Sequence, residues 1–150
     1  FVLKLGYGFL DFYFLKEHYP MIKTPLGAML YVKSVKDAVS FYKDKLGFKF
    51  TGYFDGEKPV MEWHSPEEPG YAGFDICGGH LGLHPNDGSK KVSNGCEFHV
   101  VVDNVDEYYS QITARGVKAP EPVDEPWGGR CITLQDPDGH VWDFYHMVKN

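Results

Sequence analysis

From Leu26 onward, hydrophobic and polar positions alternate. Leu26, Ala28, Leu30 and Val32 share one face, and Gly27, Met29 and Tyr31 the other, which predicts a strand with one buried side. The period then lengthens. Val35, Ala38, Val39, Tyr42 and Leu46 recur at helical spacing, so an amphipathic helix is predicted over 35–46. Ser34 stands at its N-cap, Asp37 at the capping-box position and Gly47 where a terminating glycine belongs. Strands are predicted again over 48–54, 73–77 and 80–84. A loop over 55–71 carries a short strand at 60–63, and Gly78-Gly79 supplies a hairpin turn. Residues 85–94 are polar and read as a linker.

The same order then recurs. Residues 97–102 read as a strand. Asn104 caps a helix with Glu107 three positions on, Val105, Tyr108, Tyr109 and Ile112 form its apolar stripe, and Gly116 follows. Residues 117–123 predict a short, proline-bearing edge strand, and a loop runs through Trp127-Gly128-Gly129. Two last strands flank Asp136-Pro137-Asp138-Gly139, a turn in which proline fixes φ and glycine supplies a positive φ. The chain is therefore an α+β protein of two tandem βαβββ units, 24–85 and 95–148, in one domain spanning 21–150. Neither unit is large enough to cover both faces of its own sheet. Side by side they predict a curved, mixed, eight-stranded sheet, with helices on the convex face and a concave ligand cleft.

Composition adjusts this picture at few points. A formal charge of −6 argues against a nucleic-acid partner, and no apolar run is long enough for a membrane helix. Cys77, Cys96 and Cys131 are odd in number and show no C-x-x-C spacing, which points to reduced thiols and a cytoplasmic protein. Aromatics reach 16% and are dense in residues 1–20, which lack the features of a signal peptide. That N-terminal aromatic extension reads either as a natural accessory element or as a piece foreign to the protein, with Met21 opening a segment that looks like an ordinary start.

Chemistry concentrates in the last strand. Trp142, Phe144 and His146 share one face, and Val141, Asp143 and Tyr145 the other. A carboxylate in mid-strand is costly unless its face lines water or a cleft. Asp136 and Asp138 read as turn residues and Gly78-Gly79 as a hairpin rather than a phosphate loop. Trp142 and Phe144 read as core.

The phrases YVKSVKDAVSFYKDKLGF, FHVVVDNVDEYYSQITARGV and PWGGRCITLQDPDGHVWDF, in duplicated order, resemble the vicinal oxygen chelate superfamily. That group includes glyoxalase I, extradiol dioxygenases, and fosfomycin- and bleomycin-resistance proteins. The resemblance covers residues 24–148 and implies the paired βαβββ fold and a homodimer. In metal-dependent members four ligands, mostly His and Glu, face the cleft. The matching positions here are Gly27, Gly82, Glu97 and Asp143, so two ligand positions have no side chain. The expectation is no cofactor. A divalent ion held by the two acids, or a site rebuilt from His84, Glu97, His99 and Asp143, is the alternative. His80, beside a turn, reads as a surface group.

Two carboxylates with aromatic neighbours suit a cationic or basic ligand. The candidate ligand-binding residues are Met29, Tyr31, His84, Glu97, His99, Trp127, Asp143 and Tyr145, and no catalytic residue is assigned. The implied function is small-molecule binding of bleomycin-resistance type. The alternative is a lyase, isomerase or dioxygenase in which Glu97 or Asp143 is a base partnered by His99 or His84. A third reading has the cleft serve a protein partner.

Overall fold

A computed structural model describes residues 26–92 and 95–148. The aromatic extension lies outside the described residues. The first unit runs β1 (Gly27–Val32), α1 (Val35–Ser40) with a π-helical continuation (Phe41–Lys45), β2 (Lys49–Phe54), β3 (Pro59–Val60), β4 (Ala72–Ile76) and β5 (Gly79–Pro85). The second runs β6 (Glu97–Val101), α2 (Val105–Ala114), β7 (Val123–Asp124), β8 (Gly129–Gln135) and β9 (Val141–Met147). The strands form two sheets, ordered β1-β5-β4-β2-β3 and β6-β9-β8-β7. In each, the first strand lies parallel to the last and the other pairings are antiparallel. The duplication is thus real at the level of topology. The expected continuous sheet is built as two separately hydrogen-bonded ones.

Several details differ from expectation. The hairpin between β4 and β5 turns on Cys77-Gly78, one residue earlier than expected, with both residues at positive φ (49° and 87°). That is the geometry of a tight hairpin whose twist suits the flanking strands. The edge strand expected over 117–123 shrinks to Val123–Asp124, because the prolines before it offer no donor to a ladder. The first helix begins on the Ser34 cap as expected, but its other free N–H groups are met from afar. The Glu68 carboxylate accepts from Val35 N (2.9 Å) and Lys36 N (3.4 Å), which pins the long loop to the helix start. Likewise α2 is capped by Asn104 Oδ1, and His146 Nδ1 accepts from Val105 N at 2.9 Å.

The units are joined through one core. Tyr42, Phe74, Trp142 and Phe144 are fully buried or nearly so, each contributing about 1.5–3 kcal/mol by burial. Phe48 packs on both Trp142 and Phe144, at 5.3 and 6.2 Å between centroids. Tyr108 on α2 donates to the Leu46 carbonyl at the end of the first helix. At the centre of the seam lies Asp136, only 6% exposed. Its carboxylate accepts from the Tyr42 hydroxyl, from His140 Nδ1 (2.8 Å), and from the amides of Asp138 (2.9 Å) and His140 (2.8 Å). Trp142 Nε1 in turn donates to the Tyr42 oxygen at 3.2 Å. The residue read as a turn former is therefore also the polar centre of the interface between units.

Burial pushes the Asp136 carboxyl up, but the bonds from His140 and Tyr42 outweigh it and hold the group below its ordinary value. Burial and the adjacent Asp136 push the Tyr42 phenol far above its own, so it stays a neutral donor. Tyr42→Phe removes one donor from Asp136 and strands the Trp142 N–H. It should cost about 2 kcal/mol in urea unfolding, against about 1 kcal/mol for Tyr108→Phe, which deletes a single bond. Because the folded Asp136 carboxyl titrates below the unfolded one, its contribution is complete above the unfolded value of about 4. That contribution is lost as pH falls through the folded value. Thermal unfolding of Asp136→Asn should accordingly show a shallower decline on the acid side than the parent protein.

Candidate functional site

The hairpin turn sets the register of the second sheet. It pairs Thr133 with Asp143 and Cys131 with Tyr145, and the parallel partner β6 brings His99 beside Asp143. Asp143 therefore sits mid-sheet between a hydroxyl and an imidazole. Its side chain is almost covered, and Thr133 Oγ1 donates to it at 2.8 Å. His99 reaches both acids. Its Nδ1 is 3.7 Å from Asp143 Oδ2, and its Nε2 is 3.5 Å from Glu97 Oε2, with Glu97 and His99 half exposed. Tyr145 meets His99 edge-on at 6.2 Å, and Trp127 meets Tyr145 edge-on at 5.5 Å. Five of the eight expected residues thus form one connected group on the open face of the second sheet.

Met29, Tyr31 and His84 lie on the first sheet instead. Tyr31 and His84 stack at 6.0 Å, and Tyr71 packs edge-on to His84 at 5.4 Å. His80 hydrogen-bonds the Tyr71 hydroxyl. Equivalent positions in the two units carry different chemistry. Gly73, Gly82 and Met29 are aligned across β4, β5 and β1, where the second unit has Thr133, Asp143 and His99. The Met29 thioether fills the space above Gly82: a Cβ there would lie 2.6 Å from Met29 Cε and 2.9 Å from the Tyr71 ring.

These donors do not fit the four-ligand metal centre that the resemblance implies for its metal-dependent members. Among the described residues no three His, Cys, Asp or Glu side chains are grouped to hold an ion. His99 turns one nitrogen to each carboxylate, so the three groups address one another rather than a common point.

Thr133 and Tyr71 have no role in the sequence reading, and Cys131 enters it only as a reduced thiol. A signal for Thr133 and Cys131 was present, since a hairpin centred on the 136–139 turn pairs Thr133 with Asp143 and Cys131 with Tyr145. Burial, then the charges of Asp143 and Glu125, push the Cys131 thiol up, so it stays protonated and unreactive. Arg130 donates to Asp106 (2.8 and 2.9 Å) and Asp124 (2.8 Å), and so is not the counter-ion of Glu97 or Asp143.

Two βαβββ units packed on a shared core define a paired-module α+β protein. The family model of the Glyoxalase/Bleomycin resistance protein/Dioxygenase superfamily matches residues 25–144, and the chain belongs to that superfamily. A bleomycin resistance protein from Geobacillus stearothermophilus is 25% identical over 136 residues, covering 79% of this chain and 93% of the relative. Among solved structures, TioX from Micromonospora sp. ML1 superposes with a TM-score of 0.63 at 22% identity, covering 84% of this chain and all of that one. A bleomycin-binding protein complexed with bleomycin superposes at 0.59 with 17% identity, covering 83% and 98%. These likenesses establish the fold.

Trp127 is held over the backbone of Gly129, where an added Cβ would lie 1.8 Å from its ring. Trp127 is 51% exposed and can swing away. Gly129→Ala should therefore leave stability within about 1 kcal/mol of the parent, while separating Trp127 from Tyr145. A shifted Trp127 emission with an unchanged unfolding midpoint is the expected result.

Proposed function

We propose that the protein binds a cationic or basic small molecule on the open face of its second sheet, in the manner of a sequestering resistance protein and without a metal. The observation that carries this reading is the Glu97–His99–Asp143 group walled by Tyr145 and Trp127. Glu97 and Asp143 are the two acids of the group, and Arg130 is occupied by Asp106 and Asp124. A ligand ammonium would supply the missing positive charge. The aromatic edges and faces beside it add cation–π attraction, worth about 0.5–2 kcal/mol. The bleomycin resistance relatives support the class of function. Thr133 orients the Asp143 carboxylate, and His99 stands between the two acids.

We read the protein further as a cytoplasmic homodimer. All three cysteines are free, as a reducing compartment requires. Val101, Trp127 and Met147, exposed at 66%, 51% and 57%, give the second sheet an apolar margin of the kind that protein contacts cover. Light scattering at two concentrations tests the dimer.

Calorimetric titration with metal-free bleomycin and with benzylamine, against benzyl alcohol as neutral control, tests the ligand class. The amines should bind and the alcohol should bind about tenfold less tightly. Glu97→Gln should remove most of that preference, and EDTA should leave it intact. Equal binding of amine and alcohol, or a preference that vanishes in EDTA, would overturn the reading.

A further inference from the structure

A concavity lies at the seam between the units, and none of Glu97, His99, Trp127, Asp143 or Tyr145 lines it. It measures about 170 Å³ and is lined by Met29 and Tyr31 of β1, Phe98 of β6, His140, and Lys90 and Lys91 of the connecting segment, with no carboxylate among the described residues on its walls. In a chain of formal charge −6, a pocket with two lysines and no acid departs from the average surface. An apolar cavity of roughly 150 Å³ holds one benzene ring, so this one accommodates a single-ring molecule.

Its parts are held in place. Asn86 N donates to the Val32 carbonyl at 2.8 Å, and Asn86 Nδ2 donates to the Lys90 carbonyl at 2.9 Å, so the segment is tied to the end of β1. Lys90 Nζ sits 5.4 Å from the centre of the Tyr31 ring, the ammonium lying over the aromatic wall. The nearest buried acid, Asp136, already accepts four hydrogen bonds, one from His140 Nδ1. Asp138 Oδ1 accepts from Lys33 N at 2.9 Å. These carboxylates face donors within the fold, and Lys90 and Lys91 are the lysines on the pocket's described walls.

We propose that the seam pocket binds a small aromatic carboxylate. The ring lies between Tyr31 and Phe98, against the Met29 thioether, and the carboxylate meets Lys90 and Lys91. The site is separate from the acidic face and opposite in charge preference. Met29 and Tyr31, grouped by sequence with the acidic residues, belong to it.

The test is titration of the full chain with benzoate, followed by amide chemical shifts in 1H–15N spectra. Benzyl alcohol, benzylamine and inorganic phosphate serve as comparison probes. Benzoate should saturate with a Kd on the order of a millimolar, as suits so small a ligand. The largest shifts should fall at Tyr31, Lys90 and Lys91. The double variant Lys90→Met, Lys91→Met alters only exposed side chains. It should weaken benzoate roughly tenfold with the unfolding midpoint unchanged, and Glu97→Gln should leave benzoate binding as it was. Equal affinity for benzyl alcohol would overturn the charge assignment, and equal affinity for phosphate would overturn the aromatic one. Shifts confined to Glu97, His99 and Tyr145, or no saturation at all, would remove the site. Because Glu97→Gln acts only on the cation-binding face, failure of either reading leaves the other separately measurable.

Discussion

Asp136 is a buried carboxylate that draws its donors from both units, and the relative placement of the sheets rests on keeping it paired. A buried ion without partners costs several kcal/mol. This one has a phenol from the first helix, an imidazole, and two amides from its own turn. The Tyr42 hydroxyl is shared with the Trp142 N–H, so Tyr42, Asp136 and Trp142 have few alternative positions. Apolar packing of Phe48, Phe74 and Phe144 supplies the area, but hydrophobic contact is non-directional. The polar network gives the contact a single geometry.

That geometry leaves each sheet with one open face, and the two faces have diverged. Equivalent strand positions hold Gly27, Met29, Gly73 and Gly82 in one unit and Glu97, His99, Thr133 and Asp143 in the other. The glycines are more than missing ligands. Without a Cβ at 82, the Met29 thioether and the Tyr71 ring settle onto the strand. A side chain at position 82 would displace the far end of Met29 and the edge of the Tyr71 ring. On the second sheet two acids occupy these positions, and an imidazole stands between them.

The frame was legible in the sequence because it depends on local rules. Alternation located β1, the caps Ser34 and Asn104 were visible by type and spacing, and the 136–139 turn followed from Pro and Gly. Most of the failures involve groups distant in sequence. Nothing local to Glu68 shows that it caps a helix more than 30 residues earlier. Nothing near Asp136 announces Tyr42 as a donor. The cysteine in the β4–β5 turn was missed because Cys rarely takes a positive φ, and tight hairpin twist prevailed over that preference. The candidate site was legible as residue types with the correct facing. Its division into two groups was not, because strand parity says which face a residue is on and nothing about which sheet faces which.

Charge then follows that division. Placed in one cleft, Met29, Tyr31 and the acids would form a single anionic pocket. Separated by the sheets, Tyr31 acquires Lys90 over its ring, whereas Tyr145 has His99 and, through it, Asp143. The same residue type at the wall of each site is thus tuned by a different neighbour, one cationic and one bridging two acids. At about 8–10 Å the screening length in physiological salt is short, so each site responds mainly to charges in direct contact. A chain of net negative charge can therefore present an anion-accepting pocket where the charged side chains on its walls are lysines. Asp136 keeps its charge but turns its carboxylate to the four donors that join the two units.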